Sequence, residues 1–533
     1  GTDSYTRAAQ ARALAESGID YAAAILSNPD TFANTLNSNP YSNPLFQGIT
    51  VQEGRNPRLQ GRFSIVAPLG PDDTPSDAQP YRFGVGDECG KINLNTLLKL
   101  DSSGQKAHDI LLMLPNMTED VANSILDWLD PDDDTRTNGA ESDYYGGLNP
   151  GYRAKNGPLD SLEELLLVKG VTPQLLFGND RNRNGILDPD EDDGSGIVDQ
   201  GWAAYLTIYS RELNVDASGN PRIYVNDSDL NTLYENLSSA VGQDLANYII
   251  AYRMYGPANS SPSNSGSSGS QNNPTSKTGS GSSPSSTSKQ PTTSSNNTTK
   301  PGSSGGGGGS AQSNAGNSSS ANKGGGSGGS SSSAPARLTR QNLGNMRQGQ
   351  LQSISSLYAL INSQVQIPSS TPGGQPTTYA SPLNDPGSLR QYLPLLLDEL
   401  TTSKGNELPA RVNVNTAPQA VLAALPNLTD ADVQAIVDHR PNPSDTDAPD
   451  PIFLTPAWLI TEANFSPQKV QALDRYITAR SQVYRVQSLG YFDGGGPTAR
   501  IEAVIDTNAG RPRVVYWRDL TELRKGFNVQ GSP

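Results

Sequence analysis

Cysteine, histidine, aromatic side chains and positive charge are all scarce in this 533-residue chain. Its single cysteine, Cys89, excludes an intrachain disulfide scaffold and leaves the redox compartment open. Only two histidines occur, His108 and His439. A catalytic triad or a histidine-rich metal site would have to use one of them, and each lies in a helical pattern among ordinary surface residues. Carboxylate-only enzymes survive this filter, but nothing in the carboxylate spacing calls for a catalytic pair with unlike environments. The net charge of −15 disfavours a nucleic-acid partner and suits solubility or divalent cations. No run of 18 apolar residues occurs, so the sequence as it stands holds no membrane span, and it does not begin like a signal peptide.

What is present falls into a few informative stretches. Residues 5–27 place Ala11, Leu14, Gly18, Ala22 and Ile25 on one narrow helix face, closed by Asn28-Pro29. Such a face suits close packing, either on the chain's own sheet or against other subunits. Residues 62–68 and 81–88 read as strands, as do 202–209 and 222–225, and 483–491, 499–505 and 513–519 read as a closing meander. The C-terminal strands are expected to join those near 62–88 in one sheet.

Between them a unit recurs three times. It starts at Ile92-Asn93-Leu94-Asn95, Ile223-Tyr224-Val225-Asn226 and Val412-Asn413-Val414-Asn415, and it ends in helices through Ile125, Ile249 and Ile436. Thr118 and Thr429 read as helix caps. Each apolar set is too small to form a core alone, so the units are expected to pack on one another. A follow-on segment repeats as well: Leu159-Asp160-Ser161-Leu162 matches Ile354-Ser355-Ser356-Leu357, and Phe453-Leu454 is a looser third. The units resemble helix–hairpin–helix modules. Their hairpins at 114–118 and 425–429 lack the glycines that let backbone approach phosphate, so a packing role is the expectation.

Residues 257–335 are dominated by Ser, Gly, Asn, Thr and Pro, with a few Lys and no acid, and are expected to be a disordered insert whose ends return to one joint of the second unit.

Two acidic loops stand out. Residues 180–191 read DRNRNGILDPDE. Asp180, Asn182 and Asn184 supply side-chain oxygens, Gly185 the sharp turn, Ile186 a carbonyl, Asp188 a ligand or water contact and Glu191 a bidentate carboxylate, the EF-hand calcium order. The flank DDGSGIVDQG cannot form an exit helix, so the loop reads as a calcium staple rather than a sensor pair. Asp192, Asp193 and Asp199 are alternative late ligands. In the other loop Asp127, Asp130, Asp132, Asp133, Asp134, Glu141 and Asp143 have only Arg136 nearby. Seven carboxylates so placed repel unless solvated or bound to a cation.

The stretch from Asp127 to Thr172, with Asp87-Glu88-Cys89-Gly90-Lys91-Ile92-Asn93-Leu94-Asn95 before it, resembles the signature of K-type minor pseudopilins of the type II secretion system. Residues 205–210 and 412–417 extend the resemblance. It implies an α+β fold: a pilin-like N-terminal helix on an antiparallel sheet, with a large inserted helical domain of repeated helix–hairpin–helix or SAM-like units. The domain boundaries expected are 1–91, 92–200, 201–226, 227–256 with 336–410, 411–480 and 481–533, the insert apart.

The resemblance also implies calcium in the helical domain, with Asp132, Asp134, Glu141 and Asp143 as ligands of a second ion. It implies I- and J-type minor pseudopilins as partners, and secreted substrates as further ones. The place implied is the periplasm, with an inner-membrane anchor upstream of Gly1. The implied role is non-enzymatic: capping the pseudopilus tip and starting its assembly for protein secretion. The alternative is a calcium-stapled extracytoplasmic binding protein outside any secretion machine.

Overall fold

The computed structural model describes residues 2–56, 59–73, 80–101, 103–258, 337–344, 346, 350–442, 448–523 and 526–529. The expected disorder of the insert falls outside them.

Helix α1 (Thr2–Ser27) is followed by strands β1 (Ile49–Gln52), β2 (Gly61–Pro68), β3 (Tyr81–Arg82) and β4 (Gly86–Asp87). The chain then leaves for the helical region and returns as β5 (Val483–Phe492), β6 (Ala499–Asp506) and β7 (Arg513–Asp519). Among the described residues these form one seven-stranded sheet in the order β1-β2-β5-β6-β7, with β3 on β2 and β4 on β5. All its pairings are antiparallel, for instance Ser488 opposite Ile65 and Val486 opposite Ala503. The mixed α+β class and the union of first and last strands are therefore as expected. Strand β1 was not foreseen, and the 81–88 stretch yields only two short pairings.

Alternation sorts the sheet's side chains by face. Phe63, Ile65, Val486, Ile501, Ala503 and Ile505 share a core with Ala11, Leu14, Ala15, Ile19 and Ala22 of α1. The approach is close. A Cβ on Gly18 would stand 2.0 Å from Ser488 Oγ, and one on Gly490 would stand 2.2 Å from the Ala11 carbonyl oxygen. The small-residue face of α1 is thus used by the chain's own sheet from Ala11 to Leu26. Of the two uses expected for this face, packing on the chain's own sheet is the one the structure has. Ahead of it Arg7 lies over the Phe492 ring and donates to the Gly495 carbonyl (3.0 Å), while Tyr5 is exposed by 81%.

The helical region is built from three like units, each closed by a two-residue parallel strand pair: Ile92–Asn93 on Leu206–Thr207, Ile223–Tyr224 on Leu400–Thr401, and Val412–Asn413 on Ile477–Thr478. The stretches at 202–209 and 222–225 therefore close units one and two rather than join the main sheet. In the first stretch Gly201–Ala204 forms a 3-10 turn, which leaves only Leu206–Thr207 as strand.

Each unit carries a second helix that turns apolar residues into the core: α2 (Glu119–Leu129), α3 (Gln243–Tyr255) and α4 (Asp430–His439), the last through Val433 and Ile436. Thr118 and Thr429 cap α2 and α4, accepting from Val121 N and Asp432 N. The preceding hairpins turn at Asn116 and Asn427, both with positive φ. Ile125, Ile249 and Ile436 are all fully buried in one continuous core. Unit-on-unit packing follows, since none of the three closes a core alone.

One asparagine per unit fixes the follow-on segment. Asn95 donates to the Leu159 carbonyl (3.0 Å) and accepts from Leu159 N (2.8 Å). Asn226 does the same with Ile354 (2.9 and 2.8 Å), and Asn415 donates to Phe453 (2.8 Å). The flanks of the insert both lie on unit two: Ala258 N donates to the Gln364 carbonyl (2.7 Å), and Arg337 pairs with Asp244 of α3 (2.7 Å).

Candidate functional site

The loop at 180–191 lies against the sheet face opposite α1. Asp180 caps its own turn, accepting from Asn184 N (3.0 Å) and Gly185 N (2.8 Å). Gly185 sits at φ +65, the left-handed turn that the sixth position of a calcium loop needs. Asn182 N donates to Glu191 Oε1 (3.0 Å), and the Asn184 amide donates to Asp188 (3.0 Å). Burial, only partly offset by those backbone donors, pushes the Asp180 carboxyl up to about 6.

Two hard oxygens of the loop, Asn182 Oδ1 and Glu191 Oε2, are buried without a hydrogen-bond partner. An ion would satisfy both. Among the described residues no three His, Cys, Asp or Glu side chains gather closely enough to hold a metal. A bound ion would therefore draw on the asparagines and on the Ile186 carbonyl as well. Asp192 and Asp193 are exposed, whereas Asp199 is tied into the loop's base. The wholly buried Arg500 of β6 donates to the Asn182 carbonyl and lies near Asp180.

The acidic loop after α2 is organised by Asp127. Its carboxylate accepts from Arg136 Nη1 (2.8 Å) and Ala140 N (2.8 Å), and Arg136 also reaches Asp130. Glu141 is buried with both carboxylate oxygens unpartnered, as is Asp130 Oδ1. Burial, then Asp127, Asp130, Asp133 and Asp132, push the Glu141 pKa up to about 7. Asp132, although exposed, is thus near Glu141. Asp134 and Asp143 lie exposed at the surface. The unpartnered oxygens make Asp130 a ligand candidate that spacing did not single out. Its position just beyond the end of α2 was the available signal.

Sequence reasoning also gave no role to the joint between sheet and helical region. Here Asp87 accepts from Asn413 Nδ2 (2.9 Å), Cys89 N (2.7 Å), Thr416 Oγ1 (2.5 Å) and Ser481. The wholly buried Glu88 pairs with Arg485 (2.7 Å) and Lys91 (3.2 Å) and accepts from Thr207. Burial alone would raise the Glu88 pKa, but Arg485 and Lys91 outweigh it and hold it at about 2. From the first unit, Glu163 meets Arg518 of β7 (2.7 Å) and Arg183 (3.2 Å). These pairs line a cavity of about 250 Å³ between sheet and helices.

The chain matches two models described as type II secretion system, protein K: residues 90–177 match one and residues 412–450 the other. The first match begins beside the Glu88 joint and spans unit one with its acidic loop. The second covers the opening of unit three. No curated protein matches the chain. Among solved structures, the chain is similar to one in the crystal structure of the GspK-GspI-GspJ complex of the enterotoxigenic Escherichia coli type 2 secretion system. That match is 11% identical, covers 97% of this chain and 98% of the other, and has a TM-score of 0.36. At that score the backbone overlap carries no argument. The protein K signature rests on the two matched segments.

Proposed function

We propose that this chain, a type II secretion system protein K by both matched segments, is a minor pseudopilin. It caps the tip of a periplasmic pseudopilus at the inner membrane and helps start its assembly for protein secretion. Its partners in this reading are proteins of the GspI and GspJ kind. The role is structural rather than catalytic. The observation that carries the reading is a helix laid on an antiparallel sheet, with protein K sequence in the helical region mounted on that sheet.

Because the small-residue face of α1 is occupied by the sheet, the partners would be met by its outer face, where Tyr5 and Gln10 are exposed. The repeated units, read as helix–hairpin–helix or SAM-like modules, would obstruct a subunit stacked above. That confines the protein to the end of a fibre. No described helix is long and apolar enough to cross a membrane.

The buried Cys89 leaves a cysteine introduced on the surface as the accessible one. In cells secreting through this system, Gln10→Cys is expected to crosslink to the other minor pseudopilins. A Gln10→Cys protein that reaches the periplasm folded yet crosslinks to none of them would contradict the reading.

Calcium is the cofactor of the same reading. Asp180, Asn182, Asn184, the Ile186 carbonyl, Asp188 and Glu191 would hold one ion, and Glu141 with Asp130 and Asp132 a second. The left-handed Gly185 and the unpartnered buried oxygens support this. A bound ion would neutralise each loop and pin the first site's connection to the sheet. Calorimetric titration of chelator-treated protein is expected to show calcium binding that Glu191→Gln weakens. No heat at millimolar calcium would contradict it.

A further inference from the structure

A cavity of about 550 Å³ opens where the three repeated units meet, well within the size range of small-ligand sites. Unit two contributes Ser355–Tyr358 and Leu400–Ser403, unit three Leu454–Pro456 and the stretch from Gln471 to Arg475, and unit one Lys99. The cavity is basic within an acidic chain. Arg222, Arg411 and Arg480 line its walls, and Lys99 and Arg475 are exposed at its rim.

The acids facing these cations are few. Arg411 pairs with Glu212 (2.5 Å) and lies 3.8 Å from Asp474, and Arg480 pairs with Asp398 (3.0 Å). Asp216 and Glu399 stand beside Asp398, yet of the five cations only Arg411 and Arg480 are held in ion pairs among the described residues. Arg222 is the least satisfied. Its Nε donates to the Asp398 carbonyl (2.9 Å), while its terminal nitrogens make no hydrogen bond among the described residues. Burial, with Arg480 and Arg411 nearby, pushes it down to about 10. The wall is also rich in hydroxyls, among them Ser355, Thr402 and Thr455, and Thr455 Oγ1 is buried without a partner.

We propose that this cavity binds a small phosphate monoester with a hydroxyl-bearing body, of the sugar phosphate class. The ester would lie on Arg222 and its neighbouring cations, and its hydroxyls along the serine and threonine wall. A guanidinium with free terminal nitrogens matches a phosphate's oxygens in pairs, which an isolated ammonium does not. Phosphate alone would leave most of the volume and the hydroxyl wall unfilled. The inference does not depend on the assembly role.

The test is calorimetric titration of the full chain with glucose 6-phosphate, glucose and inorganic phosphate. Saturable binding of the ester is expected, with weaker binding of inorganic phosphate and none of glucose. Arg222→Gln is expected to weaken the ester about tenfold or more. Ser355→Trp, at an exposed position on the cavity wall, should do the same without moving the melting temperature, so the test survives if the arginine variant misfolds. No saturable binding of either phosphate, equal binding of glucose, or binding unchanged in Ser355→Trp would overturn the proposal. Inorganic phosphate binding as tightly as the ester would overturn the part played by the hydroxyl wall.

Discussion

The two faces of the central sheet are held by unlike forces. Toward α1 the strands present Phe63, Ile65, Val486, Ile501 and Ile505, and the contact is apolar and close. Toward the repeated units the same strands present Arg485, Gln487, Arg500 and Glu502, all drawn into hydrogen bonds or ion pairs under the helical region. On the apolar face position is set by shape, through the close fits at Gly18 and Gly490. An ionic face is directional and costly when mismatched. The difference teaches how a helix-and-sheet body carries a large excursion without blurring the junction: shape fixes one face, and buried charge pairs fix the other.

Glu88→Ala tests the ionic face hardest. It leaves Lys91 and Arg485 short of a buried partner and is expected to cost about 3–5 kcal/mol in denaturant unfolding. The same pair has a pH signature. The Glu88 pKa is lowered from 4.5 to about 2 in the folded chain. Its stabilisation is therefore complete above 4.5 and fades as pH falls through about 2, so wild-type and Glu88→Gln stabilities should converge in acid.

Gly18→Leu probes the apolar face. Its side chain has no room beside Ser488 and Phe63, and a loss of about 1–3 kcal/mol is expected, largely independent of pH. Asn95→Ala removes the clamp on Leu159 in unit one and should cost about 1–3 kcal/mol, with Asn226→Ala similar in unit two. Arg12→Ala, on the outer face of α1, breaks only exposed pairs with Glu16 and Asp519. It should change stability by less than about 1 kcal/mol. A Glu88 variant as mild as Arg12→Ala would erase the contrast between the faces.

Much of this was legible beforehand, for identifiable reasons. Strands β2, β5, β6 and β7 announced themselves by composition between clear turns. The three units were visible because Asn95, Asn226 and Asn415 recur at one place, and the structure shows why: each fixes a follow-on segment through its backbone. The use of α1 was half legible, since a small-residue face fits a sheet as well as a neighbouring helix, and periodicity cannot tell them apart. The joint at Asp87 and Glu88 was not legible as a site. Its partners Asn413, Ser481 and Arg485 lie about 400 residues or more than 300 away in sequence, and no local pattern brings them together. In the loop at 180–191 the sharp turn at Gly185 was legible, and it is left-handed as its position in the pattern demands. The second acidic loop was legible only as an excess of charge, because Asp130 and Glu141 meet through tertiary burial.

The proposed assembly role requires the sheet body to join proteins of the GspI and GspJ kind while the ionic face holds the excursion in place. Mixing the full chain with its cognate GspI- and GspJ-type proteins in calcium, and measuring mass by light scattering on a sizing column, tests it most directly. One peak with the mass of a ternary complex is expected. Separate elution of all three folded proteins at micromolar concentration would contradict it.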